Sequence, residues 1–253
     1  MSIMIKISLL LLIFVSTLLS PLHGHDHTPM SDNSLGIYGN IRFFQKYQNF
    51  NFLLDYSKSK EEDNFEPQKI RLGGRYRFHK SFKLGVFVSR LSNQRYDDDW
   101  VLSNGDWVWA NTEDRQETHL QIEGIYRSFL TRKLVLEFRN LFNFNRFNDQ
   151  QTYQLRSGLT YFHFDEGVAK YSLFTQYEAS FPLNYSEKTI WQHWLYFGSL
   201  FHLSKNFSIG PFTGYRLYYW TTSAAVRSVG EEEYVSKFDG FIFGGNVIIR
   251  NLF

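Results

Sequence analysis

The sequence predicts an all-β chain, a transmembrane antiparallel up-and-down β-barrel of about ten strands, with twelve as the alternative. Three observations carry this reading. From Leu35 onward, apolar and polar residues alternate through segments of about 9 to 16 residues, the period of two that a strand imposes. Aromatic residues make up 19% of the 253-residue chain, yet the mean hydropathy is -0.34. A barrel wall with every second residue turned to lipid is aromatic-rich in this way without being hydrophobic on average. Finally, the connections alternate in length. Tight ones lie at 79–81, 130–131, 165–167 and 203–205, and longer polar ones at 59–66, 94–115, 182–187 and 221–235. The tight set reads as the periplasmic rim, and the long set as the extracellular one.

The amino-terminal residues read as a targeting segment. Lys6 supplies a positive charge, residues 7–15 an apolar core, and Ser16, Ser20 and Gly24 small residues for cleavage, so 1–24 is expected to be a signal peptide. Residues 25–34 then form a polar, His-containing tail. If processing exposes His25 or His23, a histidine stands third from a free amine, at His27 or His25, an arrangement suited to square-planar Cu(II) or Ni(II). His25 and His27 are therefore the candidate metal ligands, and no cofactor is expected.

Residues 35–253 are expected to form the barrel, with segments at 35–44, 50–58, 67–78, 82–93, 116–128, 132–146, 150–163, 168–181, 188–202, 206–220 and 236–253. An even strand number requires that 35–44 be a partial strand or bent extension of 50–58, giving ten, or that a further strand lie near 98–109, giving twelve. Asn104-Gly105 there marks a hairpin, read as an extracellular extension rather than a spanning pair. Within 133–145, Leu134, Leu136, Phe138, Phe142 and Phe144 share one face, interrupted by Asn140. A helix would scatter these residues around its circumference. A soluble barrel also alternates but with its apolar face inside, so alternation alone does not separate in from out.

If the apolar face meets lipid, the other face lines the interior. It collects Lys69, Arg71, Arg75 and Arg77, then Glu123 and Arg127, Glu137 and Arg139, Arg156, Glu178, Arg216 and finally Arg250. Two readings stay open. An Arg/Glu network can fill a narrow barrel, because buried charges persist when paired. A surplus of cations can also draw anionic solutes into a pore.

On the last strand, Asn251, Ile249, Val247, Gly245, Phe243 and Phe241 form a greasy face that ends at Phe253. This resembles the closing strand of Gram-negative outer-membrane β-barrels, which implies that Phe253 is the signal read by the barrel-assembly machinery and that the protein resides in the bacterial outer membrane. The succession 134–139, 145–147, 153–159, 177–179, 194–198 and 203–211 resembles a proteobacterial barrel family catalogued as domain of unknown function 2490, with Trp194 and Gln154 standing where that family pattern places Arg. The resemblance implies no activity.

No catalytic constellation emerges, and the chain is not expected to be an enzyme. His193 and Ser199 are six residues apart, as are Ser157 and His163, whereas a hydroxyl and its base on one strand need a spacing of two. Asp97, Asp98 and Asp99 read as a solvated loop. A net charge of +2 gives no case for nucleic acid. The absence of cysteine excludes disulfides and thiolate chemistry. The acidic loops, including Glu231, Glu232 and Glu233, point to lipid and lipopolysaccharide as partners. The expected function is a porin-like outer-membrane barrel, a narrow channel for small anionic solutes or a structural barrel with a charged lumen; the alternative is an enzyme acting on lipid or peptide at the extracellular rim.

Overall fold

The structure is a computed structural model describing residues 33–60, 67–92, 99–103, 106–110, 116–146, 149–184, 192–221 and 235–251. Every regular element among these residues is a strand: β1 (Asn33–Tyr47), β2 (Phe50–Lys60), β3 (Gln68–His79), β4 (Phe82–Ser92), β5 (Asp99–Ser103), β6 (Asp106–Ala110), β7 (Glu117–Phe129), β8 (Leu134–Asn145), β9 (Gln151–Asp165), β10 (Val168–Pro182), β11 (Gln192–His202), β12 (Phe207–Thr221) and β13 (Val235–Arg250). Eleven close into a barrel in the order β1-β13-β12-β11-β10-β9-β8-β7-β4-β3-β2. β5 and β6 pair only with each other, as a two-stranded sheet within the β4–β7 connection.

The strand number falls between the ten and twelve expected, and the reason is topological. A meander with an odd number of strands leaves its first and last strands pointing the same way. The barrel closes through that pair, β1 and β13, which run parallel from Asn33↔Asp239 to Phe44↔Arg250. Residues 35–44 are therefore the core of a complete strand rather than an extension of 50–58. The chain reverses at Gln48, whose φ of 51° lies in the left-handed region, and Tyr47 faces Phe50 across the turn. Gln48-Asn49 lacks the glycine that usually marks such a reversal in sequence.

Five short connections, at 48–49, 80–81, 130–133, 166–167 and 203–206, share one rim with the end of β13. The opposite rim carries the connections at 61–67, 93–116, 146–150, 183–191 and 222–234 and the start of β1. One connection on that long-loop rim is short: Asn145 N–H donates to Gln150 O (2.9 Å), and the Asn184 side chain clamps both the Gln151 N–H (2.7 Å) and the Asp149 carbonyl (2.9 Å).

Burial separates in from out. On β7, Glu117, His119, Gln121 and Glu123 are buried, while Leu120 and Ile122 between them are 38% and 45% exposed. The polar face is thus interior, the inverse of a soluble core. Inside, close packing is reached by setting aromatic rings over glycines. A Cβ added to Gly73 would lie 2.6 Å from the Phe87 ring, and one on Gly85 would lie 2.7 Å from it, so only glycine admits Phe87 there.

Candidate functional site: a charged and aromatic lumen

The interior charge is organised around Glu123, which is fully buried and takes three guanidinium groups. Arg71 Nη2 donates to Oε2 at 2.9 Å, Arg75 Nε to Oε1 at 2.5 Å, and Arg139 Nε lies 2.5 Å from Oε2. Arg71 reaches across β4, and its guanidinium rests 3.8 Å above the Phe87 ring. Its Nε donates to Gln121 Oε1 at 2.7 Å, and Gln121 donates to Asn143 Oδ1 at 3.0 Å. Asn143 Nδ2 lies 2.6 Å from His119 Nδ1, and His119 Nε2 lies 2.7 Å from Glu117 Oε2. A buried carboxylate gains its stability from such a shell, since desolvation alone would neutralise it.

Two further pairs stand apart from this hub. Arg127 Nε donates to Glu137 Oε2 at 2.5 Å, and Arg156 Nε donates to Glu178 Oε2 at 2.7 Å, joined by Arg156 Nη2 at 2.6 Å. Lys69 lies two residues before Arg71 on β3 and shares its inward face. Arg216 lies 5.8 Å over the Trp194 ring, and Arg250 Nη1 donates to Ser208 Oγ at 2.8 Å near the short-turn rim. Arg77 faces inward from the short-turn end of β3, directly opposite Lys83.

The registers string several of these residues into one row. Arg77 pairs with Lys83, Lys83 with Ile125, Ile125 with Arg139, Arg139 with Arg156, Arg156 with Glu178, Glu178 with Trp194, and Trp194 with Arg216. Strand tilt makes the row climb. It starts beside the short-turn ends of β3 and β4 and reaches the long-loop end of β11 at Trp194. Five of its eight members are cations; Glu178 within the row pairs with Arg156, and Glu123 beside it holds Arg139.

Several interior residues escaped the sequence reading. Lys83, Asp55 and Arg42 occupy inward positions, Arg42 Nε lying 3.4 Å from Asp55 Oδ2 and Asn40 Nδ2 donating to Asp55 Oδ1 at 2.5 Å. Strict alternation would have found them. Phe87 would have been read as lipid-facing from its type, and the flanking Gly73 and Gly85 are the signal for its inward place.

Of the paired histidines and serines, His193 is on the outer face, with Nδ1 2.6 Å from the Tyr177 hydroxyl, and His163 stacks on Tyr171 at 4.7 Å. A contact invisible to spacing on one strand is His202 with Ser208. They face each other across the β11–β12 hairpin, Nδ1 to Oγ at 2.9 Å, but Ser208 is fully buried and also held by Arg250. His23, His25, His27, Asp97, Asp98, Glu231 to Glu233 and Phe253 lie outside the described residues. Among the described residues no group of three His, Asp or Glu side chains is placed to hold a metal ion.

The outer face carries its own pattern. Toward the short-turn rim, Phe50, Tyr76, Phe78 and Phe82 form a chain of ring contacts with centroids 4.7 to 6.1 Å apart. In the strand halves nearer the long-loop rim, outward tyrosine hydroxyls find partners on adjacent strands: Tyr56 with Gln68 (3.4 Å), Tyr153 with Asn140 (2.5 Å), Tyr177 with His193 (2.6 Å) and Tyr215 with Asp239 (2.7 Å). Between these belts stand exposed Leu54, Leu72, Val86, Ile122, Phe243 and their like. Compared with protein-family models and with curated proteins, the chain matches none.

Proposed function

We propose that the chain is an outer-membrane β-barrel of a Gram-negative bacterium that conducts small anions through its lumen. The observation that carries the conduit reading is the inclined row from Arg77 to Arg216. Fixed cations at successive heights, set in a low-dielectric wall, lower the barrier for an anion at every step and raise it for a cation. The Glu123 hub holds Arg71 and Arg75 on β3 and Arg139 on β8 against one side of the lumen, and from Arg139 the row continues along β9 to β12.

Membrane placement is supported by the outer face. An apolar band bounded by aromatic belts is the surface expected of a barrel in lipid, and it would be a severe solubility defect in water. Short turns on one rim and longer connections on the other orient the barrel with the end of β13 on the periplasmic side. On this reading lipid and lipopolysaccharide are its surroundings, the barrel-assembly machinery inserts it, and it is no enzyme.

Membrane fractionation and planar-bilayer recording test the proposal together. Recovery with the outer membrane and discrete openings are expected. A soluble, monodisperse protein without detergent would refute the membrane assignment; a silent bilayer over properly folded protein would refute conduction and leave a structural barrel closed by its charge network.

A further inference from the structure

The lumen differs around its circumference. On β3, β7 and β8 it is charged. On β11, β12 and β1 it is aromatic: Trp194 stacks on Tyr196 with centroids 5.4 Å apart and an interplanar angle of 11°, Tyr196 meets Phe212 edge-on at 6.2 Å, and Phe212 meets Tyr38 edge-on at 5.6 Å. Inward glycines make room for these rings. A Cβ on Gly198 would lie 2.7 Å from the Phe212 side chain, one on Gly214 would lie 3.1 Å from the Tyr196 ring, and one on Gly244 would lie 2.5 Å from the Phe212 ring.

Two properties make this wall more than packing. Trp194, Tyr196 and Tyr38 keep part of their surface accessible although they point inward, so that surface faces the lumen. The cationic row also borders the wall directly. Arg216 stands 5.8 Å over Trp194, and Arg156 stands 5.8 Å over Tyr196.

We propose that the lumen binds amphipathic organic anions: small carboxylates that carry a planar apolar body. The guanidinium groups of the row hold the carboxylate through charge-assisted hydrogen bonds, and the apolar body lies on the accessible Trp194 and Tyr196 rings, which Phe212 backs from behind. An inorganic anion or acetate uses the row and leaves the wall unused, and a neutral aromatic uses the wall and leaves the row unused. The proposal deepens the anion-conduit reading by naming its solute class, and it rests on that reading for transport but not for binding.

The test is titration of the full folded protein, reconstituted in lipid nanodiscs, with 2-naphthoate followed by its fluorescence. Acetate, hexanoate and 2-naphthamide are measured as competitors. Saturable binding of naphthoate is expected, at least tenfold tighter than that of each competitor. Trp194→Leu should weaken naphthoate at least fivefold and leave acetate unchanged, and Arg216→Gln should weaken both anions. Folding of each variant is verified by heat-modifiable gel mobility, and Tyr196→Leu replaces Trp194→Leu if that variant does not fold.

Non-saturable naphthoate uptake, hexanoate binding as tight as naphthoate, or equal loss of acetate and naphthoate in Trp194→Leu would overturn the proposal. Binding with a silent bilayer would uphold it and refute conduction; anion conduction without naphthoate binding would do the reverse.

Discussion

Glu123 shows how single residues determine the interior. It has no contact with water, and three guanidinium groups from β3 and β8 converge on its two oxygens. Removing its charge leaves those cations facing one another in a poorly solvated space, which is why breaking such a cluster costs more than forming it gains. Glu123→Gln is therefore expected to lower the folding free energy by about 3–5 kcal/mol in a urea titration in lipid vesicles. Replacing Phe87 by Ala should cost a similar amount, about 3–5 kcal/mol, by emptying the space over Gly73 and Gly85 and removing the platform under Arg71. The inward place of Glu123, Arg71 and Arg139 was legible from alternation alone. Their partnership was not, because Arg71 and Glu123 are 52 residues apart and meet across an intervening strand.

At the scale of elements, strand positions were legible and closure was not. The segments expected at 116–128 and 168–181 appear as β7 and β10 because each reverses its apolar and polar faces without a break between turn residues. The isolated β5–β6 hairpin likewise follows from Asn104-Gly105 and its flanking alternation. The parallel β1–β13 seam follows from no local signal, since it depends on how many strands precede it. It can be tested directly because the chain has no cysteine. Gly39 and Gly245 face each other in the seam, and a Gly39→Cys, Gly245→Cys double variant should form a disulfide on oxidation, read by non-reducing gel mobility. An antiparallel closure of β13 on β2 would leave the thiols apart. Two adjacent glycines provide a second test. A Cβ on Gly244 would lie 2.4 Å from the Tyr38 carbonyl, whereas one on Gly245 meets nothing within 4 Å. Gly244→Val should block or strongly slow barrel closure, and Gly245→Ala should fold normally.

For the molecule as a whole, the period of two left the direction of the apolar face undecided, and burial decides it. Glu123 is sealed inside while Ile122 beside it is 45% exposed. On the proposed reading Ile122 meets lipid, and Ile122→Lys should destabilise the barrel in vesicles by about 2–4 kcal/mol if it sits near the bilayer midplane. A change within a few tenths of a kcal/mol would place that face in water instead. The inverted barrel and the climbing row are products of one geometry, because the tilt that closes the sheet also carries Arg77, Lys83, Arg139, Arg156 and Arg216 from one rim toward the other.

The reversal potential in a planar bilayer under a KCl gradient tests that row most directly. Wild-type protein should show an anion-selective potential, and Arg139→Gln with Arg156→Gln should move it toward zero while openings persist. A cation-selective wild type, or selectivity unchanged in the double variant, would contradict the assignment of the row as the path of the anion.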